Sequence, residues 1–437
     1  MGKKKAADFR YSTGETKVPW AAVGESVNKE DIMEVIKFLI PEGDKEKESY
    51  EKQLKGVEEE IKKLIEKGKL QTKLTLGPNV AAVEEKAKKF LRSKYACFLP
   101  CATHGFELAY KFAGLKPGDE VIVPAITFLS TVNYPLSIGA KVVLADVDPG
   151  TINIDPKDIE RKITKKTKMI VPVHIGGYPC DMEPIMKLAK KHNLVVLEDA
   201  AHAFGASYKG KMIGTIGDFG AYSFHEVKNI NSAGEGGILT TNHSCGKDFQ
   251  IARFGGFDLS NPIKLWLYDV VALKWKGDYF IPGNYSVTEI QAVVFLSQLT
   301  RIKKIIERRR KAAEYLDSRF KGIPGIIPQV LDTKDIKSTY HLYLFQIDPS
   351  VLKGDIQLFK EKITAKGVTQ IFHFAPLYKF IRMKQMGYDV KKIEKSCPNA
   401  EEAFRHRATH LPLYPLTDEQ LKYMADAIIE TIKEMRK

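Results

Sequence analysis

Cysteine is scarce and badly placed for cross-linking. Five occur in 437 residues, Cys97, Cys101, Cys180, Cys245 and Cys397. An odd number with no CxxC pair argues against a disulfide framework or a structural zinc site, and makes the cytoplasm the expected compartment with no metal. Long apolar runs are also missing: none reaches the roughly 20 residues of a membrane-spanning helix, so no membrane partner is expected. The opening MGKKKAADF carries charge but no apolar stretch after it, so it does not read as a secretory signal. Ala6 stands where a myristoylation motif on Gly2 needs Ser or Thr. Internal repeats and low-complexity tracts are absent as well.

What is present describes a large, mixed, globular chain. Apolar residues make up 44% and charged residues 28%, with a net charge of +14. Such a length exceeds one small core and predicts a large domain with a smaller one. The positive balance invites a nucleic-acid reading. However, lysine and arginine alternate with glutamate over most of the length, as in KKIIERRRKAAEYL, and no helix-turn-helix or other recognition module occurs. A solvated surface of mixed sign accounts for the pattern, and its positive field also suits anionic small molecules. The reading is of no nucleic-acid partner.

Hydrophobic periodicity divides the chain into three textures. Within 44–70, Tyr50, Leu54, Val57, Ile61, Leu64 and Ile65 recur at spacings of three and four, which predicts an amphipathic surface helix packing one stripe on the body. From about 80 to 242, the apolar runs VIVPAI (121–126), VVLADV (142–147), MIVPVHI (169–175) and LVVLEDA (194–200) alternate with helical segments at 155–163 and 181–192. Near-continuous apolar strands joined by helices predict a mostly parallel α/β sheet covered on both faces. KPGDE and GGYP punctuate it as turns. After about 300, a charged helix, the strand-like run 341–347, a helix at 354–367 and a last helix from Thr417 predict a smaller α+β domain. The expected organisation is an N-terminal segment 1–76, a large domain 77–300 and a small domain 301–437.

In parallel sheets, ligands gather beyond the carboxyl ends of strands. Three segments sit there: LEDAAHAFGA with Asp199 and His202, YSFHEVK with Ser223 and Lys228, and PCATHGF, which enters a helix through Ala102 and Thr103. A carboxylate after one strand and a lysine after a later one are what pyridoxal 5'-phosphate requires. The lysine amine forms a Schiff base with the aldehyde, and the aspartate pairs with the pyridine nitrogen. Backbone N–H groups at a helix N-terminus and small hydroxyls, available from Ala102, Thr103 and Ser223, suit the phosphate.

GPNVAAVEEKAKKFL (77–91), GDEVIVPAITFLSTVN, DVDPGTINID, PVHIGGYPCDM, EDAAHAFGASYKGKMIGTIGDFGAYSFH, GEGG, CPNAE and LPLYPLTDEQ (411–420) together resemble the DegT/DnrJ/EryC1/StrS sugar aminotransferases. These are fold-type I pyridoxal phosphate enzymes. The resemblance implies that fold: an α/β domain with a mostly parallel central sheet covered by helices, and a smaller C-terminal α+β domain. It makes Lys228 the Schiff-base lysine and acid/base, and places Asp199 on the pyridine nitrogen and His202 near the ring hydroxyl. Phe128 stacks on the ring, while Ala102, Thr103 and Ser223 hold the phosphate. GNYSVTEIQA (283–292) resembles the segment that reaches into a neighbouring subunit's site, so Asn284 is the candidate phosphate contact across a homodimer interface.

The implied reaction takes an amino group from glutamate or glutamine and delivers it to a keto-sugar, nucleotide-linked, in surface-glycan or secondary-metabolite synthesis. Two alternatives stand beside it. A sugar dehydratase branch of the family carries His where this chain has Lys228, and a cofactor-bound regulatory or nucleic-acid-binding protein is suggested by charge alone. Single residues keep simpler roles too: Phe128 in the core, His202 as a hydrogen-bonded buried histidine, Ser223 capping its turn. His225 and Glu235 either shape the loop or touch substrate. The chain departs from the family at Ala102-Thr103, where Gly-Thr is usual, and at Ser286, where many members have Arg. NINSAGEGG is one residue longer than usual. The helix at 44–70 and part of 255–282 look like insertions, expected near the substrate entrance.

Overall fold

Three of the four apolar runs become strands where their pattern predicts them. Of 169–175 only Met169 and Ile170 are in a strand; Val173 makes an isolated parallel bridge to Asp199, and Ile175 opens a single helical turn. The computed structural model describes residues 27–43, 47–68, 70–71, 73–258, 270–369, 374–413 and 415–437. Its strands are β1 (Tyr95–Leu99), β2 (Glu120–Pro124), β3 (Lys141–Ala145), β4 (Thr167–Ile170), β5 (Val195–Asp199), β6 (Ser207–Tyr208), β7 (Lys211–Met212), β8 (Phe219–Ser223), β9 (Gly237–Thr241), β10 (Ile326–Ile327), β11 (Ile336–Lys337), β12 (Tyr343–Ile347) and β13 (Ala408–Leu411). Seven form the central sheet in the order β1-β9-β8-β5-β4-β2-β3. Only β9 runs against the rest, pairing antiparallel with β1 and β8.

Alternate residues of these strands enter two separate cores, as the period of two requires. Leu197, Val195, Val121, Phe219 and Leu239 face one side; Val196, Ile122, Ile170, Tyr222 and Ile238 face the other. Eleven helices are labelled in chain order: α1 (Lys29–Leu39), α2 (Lys47–Lys67), α3 (Pro78–Leu91), α4 (Ala102–Phe112), α5 (Ser130–Ser137), α6 (Pro156–Lys162), α7 (Met182–His192), α8 (Phe249–Arg253), α9 (Glu289–Leu299), α10 (Ile302–Phe320) and α11 (Ile356–Ala365). Side chains of α4, α5 and α8 cover the first face, and those of α3, α6, α7 and α9 the second. With both faces buried, a continuous apolar strand is the stable solution.

A carboxylate locks the second layer. Buried Glu289, at the start of α9, accepts hydrogen bonds from the N–H groups of Gly77, Asn79 and Val80, the first turn of α3. Gly77 itself provides no side-chain cap, so Glu289 takes that role from 212 residues away.

The third core lies towards the carboxyl end. β10, β12 and β13 form a three-stranded antiparallel sheet. It packs with α10, α11 and the terminal helix Asp418–Met435 through Leu316, Phe320, Phe345, Phe359 and Ile428. Leu377, Tyr378, Met383, Cys397 and Ala400 instead join the core on the α4–α5 face.

The helix expected at 44–70 forms as α2, but its stripe does not sink into a core. None of its residues is buried, and it packs on α1, with Lys29 bonded to Glu58 and the Tyr50 hydroxyl donating to the Ile40 carbonyl. Two helices alone bury only the facing edges of each other. Of the stretch 255–282, residues 259–269 lie outside the described residues, as does the N-terminal stretch 1–26. Residues 270–282 bridge Leu273 to Phe280 and set Trp275 against Phe219. No described residue of α1, α2 or 270–282 lines the cavity below, and residues 259–269 of the second insertion lie outside the described residues.

Candidate active site

The carboxyl ends of β2, β4, β5 and β8 open on one cavity of about 1250 Å³. Lys228, Asp199, His202, Phe128, Ala102, Thr103 and Ser223 all line it, as do His225 and Glu235. Asn284 and Ser286 do not. Asn284 is exposed, and its side-chain oxygen accepts from the N–H and hydroxyl of Ser286.

Asp199 is the last residue of β5 and is only 4% exposed. One carboxylate oxygen accepts from the Thr131 hydroxyl at 2.8 Å, the other from the N–H of Ala201 at 3.1 Å. Thr131 in turn lies 3.0 Å from the hydroxyl of Thr127. Burial raises the Asp199 pKa even though Thr131, Ala201, Lys228 and His174 all pull it down. A buried carboxylate in this condition gains from a cation brought close.

Lys228 lies in the connection between β8 and β9, with its N–H on the His225 carbonyl at 2.9 Å. Among the described residues its amine forms no ion pair closer than 4 Å. Burial lowers its pKa to about 8, against the pull of Asp199 and Glu235. It is therefore available as a neutral nucleophile near physiological pH. The neighbouring residue fixes the loop: Asn229 donates to the Thr339 carbonyl and accepts from His341 Nδ1, both at 3.0 Å. Burial, His202 and Lys228 hold the His341 pKa well below the usual value, so its ring is neutral. The rest of the loop hangs on α9, through Asn231 on Gln298 and Ser232 on the Gln291 carbonyl.

His202 accepts the Gly176 N–H on Nδ1 at 3.3 Å and lies against the His341 ring, centroids 4.4 Å apart. With Nδ1 accepting, the proton of a neutral ring is on Nε2. GGYP is thus more than a turn. The Gly177 carbonyl accepts from Ser338 and Thr339, and a Cβ at Gly177, where φ is +88°, would meet the Thr339 hydroxyl at 2.1 Å. The segment carrying His341 docks there.

Phe128 is 61% exposed, so it is a cavity wall rather than a core residue. Ala102 and Thr103 open α4, whose N-terminus has no side-chain cap. Thr103 donates to the Ser130 hydroxyl at 3.0 Å, and Ser223 accepts the His225 N–H at 3.4 Å. An uncapped helix start flanked by hydroxyls suits an anion. Cys101 adds a thiol 3.5 Å from His104 Nδ1, and the imidazole brings the thiol pKa down against the effect of burial. The GEGG turn keeps this end open: a Cβ on Gly237 would lie 2.4 Å from the Cys101 carbonyl carbon and 2.6 Å from the Ala102 nitrogen.

The residues fit pyridoxal phosphate on these observations: a neutralisable amine, a buried carboxylate short of a cation, an exposed ring face and a bare helix N-terminus share one cavity. Sequence reasoning missed Thr127, Thr131, Asn229 and His341, and also the cations Arg301, Lys304, Arg308 and Arg309 on the cavity wall. No group of three or more metal-binding side chains occurs among the described residues, and no helix there is long and apolar enough to cross a membrane.

Comparisons agree with that fit. The model of the DegT/DnrJ/EryC1/StrS aminotransferase family matches residues 55–429. The spore coat polysaccharide biosynthesis protein SpsC of Bacillus subtilis is 36% identical over 399 residues, 88% of this chain and 97% of that one. Among solved structures, the putative sugar aminotransferase Spr1654 of Streptococcus pneumoniae in its PMP form has a TM-score of 0.74 at 28% identity, covering 86% of this chain and 96% of the other. Helicobacter pylori PseC, an aminotransferase of pseudoaminic acid biosynthesis, has a TM-score of 0.73 at 26% identity, covering 84% and 94%.

Proposed function

The chain belongs to the DegT/DnrJ/EryC1/StrS family of aminotransferases, whose cofactor is pyridoxal phosphate, and from that premise we propose that it moves an amino group from glutamate or glutamine to a keto-sugar carried on a nucleotide. SpsC and PseC, named for polysaccharide and pseudoaminic acid biosynthesis, support a sugar acceptor. The observation that carries the reading is the shared cavity of Lys228 and Asp199 beneath the open end of α4. When bound, the cofactor supplies an electron sink for the carbanion left when the amine-bearing carbon loses its proton.

The chain's own residues do the rest. Lys228 anchors the cofactor through its amine, then takes the proton from the substrate carbon and returns it, a task for which a pKa near 8 is well matched. Asp199, held by Thr131 and Ala201, holds positive charge on the pyridine nitrogen. His202, with its proton on Nε2, donates to the ring oxygen, and Phe128 covers one ring face. The first N–H groups of α4, Thr103 and Ser223 bind the phosphate. Asn284 completes the same cradle in a second copy of the chain, which makes the working unit a homodimer, placed in the cytoplasm.

The test is Lys228→Ala. The wild type should be yellow, lose that absorbance on adding glutamate or glutamine, and release the keto acid. The variant should lose transamination by roughly 10²–10⁴-fold, the usual worth of a positioned acid/base. A variant that still transfers amines at the wild-type rate overturns the assignment.

A further inference from the structure

α10 shows the cavity an unusual wall. Arg301, Lys304 and Arg308 recur at spacings of three and four, so they share one face, and all three are exposed and line the cavity. Their neighbours are otherwise engaged. Arg309 is buried, with Nη1 donating to the His341 carbonyl at 3.2 Å, and Arg310 pairs with Glu307 and Asp332. Among the described residues, none of Arg301, Lys304 and Arg308 is in an ion pair.

Such a face is unfavourable by itself. Like charges three and four apart repel, and cations crowd the helix end where the macrodipole is already positive, with no acidic residue in the first turn. A bound anion relieves both effects. Room for one exists: about 1250 Å³ exceeds the roughly 300–1,000 Å³ of an ordinary small-molecule pocket. From Arg301 to Arg308 the helix rises roughly 10 Å, at 1.5 Å per residue, and the long flexible side chains of the three cations can converge on a diphosphate held between them.

We propose that Arg301, Lys304 and Arg308 form the subsite that grips the diphosphate of the keto acceptor, and so decide which acceptors enter. This rests on the transaminase reading above and adds to it the residues that select the substrate.

The test uses the holoenzyme, with uridine diphosphate, thymidine diphosphate and inorganic pyrophosphate as probes. Titration should show at least one nucleoside diphosphate binding, more weakly as salt is raised. The triple variant R301Q/K304Q/R308Q should bind it at least tenfold more weakly, yet release keto acid from glutamate or glutamine within twofold of the wild-type rate. Restoring charge as R301K/R308K, with Lys304 intact, should recover most of the affinity, which separates lost charge from lost structure. The proposal is overturned if the triple variant binds the probe within twofold of wild type, or if the wild type binds none of the three at millimolar concentration. It is also overturned if the donor half-reaction slows tenfold while probe binding holds, since the face would then serve the donor's carboxylates. A wild type that releases no keto acid refutes the transaminase reading separately.

Discussion

Asp199 depends on a threonine that has no catalytic signature of its own. Thr131 is fully buried, and its hydroxyl supplies one of the two hydrogen bonds that keep the carboxylate charged. Thr131→Val keeps the shape and removes the donor. Losing a hydrogen bond to a charged group should cost about 1.5–3 kcal/mol where the anion is needed. The Asp199 pKa, already raised by burial, should rise further, so the acid limb of the pH–rate profile moves to higher pH while Thr131→Ser restores it. An unmoved limb would mean that Thr131 only packs. Lys228 gives a second pH signature. With a pKa of about 8, roughly a tenth of the amine is neutral at pH 7 and most of it at pH 9. The rate at which apoprotein captures pyridoxal phosphate should therefore climb through that window, measured by the growth of yellow absorbance. An ordinary lysine would keep climbing past pH 10. Lys228 and Asp199 were legible in the sequence because Asp199 closes one apolar strand and Lys228 follows a later one. Thr131 was not, since only the placing of α5 against β5 reveals what it touches.

At the level of elements, the turn before β9 and the start of α4 occupy almost the same space. Gly237→Ala puts a methyl 2.4 Å from the Cys101 carbonyl carbon, and no flexible side chain stands there to yield. The backbone must move, at a cost of about 1–3 kcal/mol for overpacking, and the N–H groups meant for the phosphate move with it. Pyridoxal phosphate affinity, followed by fluorescence titration, should fall by tenfold or more, and melting of the apoprotein should fall with it. Unchanged affinity would detach the GEGG turn from phosphate binding. The same element shows where sequence reading stopped. Buried strands β2 to β5 were legible as apolar runs, and α7, α10 and the terminal helix as periodic ones. The reversed direction of β9 was not, because a run of five buried residues looks alike in either direction. The pairing of β11 with β6, across more than 120 residues, left no local trace either. GGYP reads as a turn from composition, but its use as a dock for Ser338 and Thr339 depends on a segment from the other end of the chain.

For the whole molecule, the outward placing of Asn284 makes a prediction about assembly. Tyr285 ties this segment down: its N–H bonds the Arg253 carbonyl, its hydroxyl donates to Glu107, and Lys111 donates to it. Asn284, one residue earlier, is left exposed and outside its own chain's cavity. That placing suits a residue meant for a second copy, in which a closed two-fold dimer presents Asn284 of each chain to the other's phosphate cradle. Asn284→Asp should weaken cofactor retention about tenfold, because a carboxylate repels the phosphate. The decisive measurement joins two crippled chains. Lys228→Ala and Asn284→Asp, co-expressed with different affinity tags, give a heterodimer with both lesions in one site and an intact pair in the other. It should recover about half the wild-type turnover per dimer, whereas each homodimer stays low. If Asn284 served its own chain, each site would carry one lesion and the heterodimer would be no better than the average of its parents. Light scattering on the same samples reads the mass directly, and a monomer with full activity would refute the shared site at once.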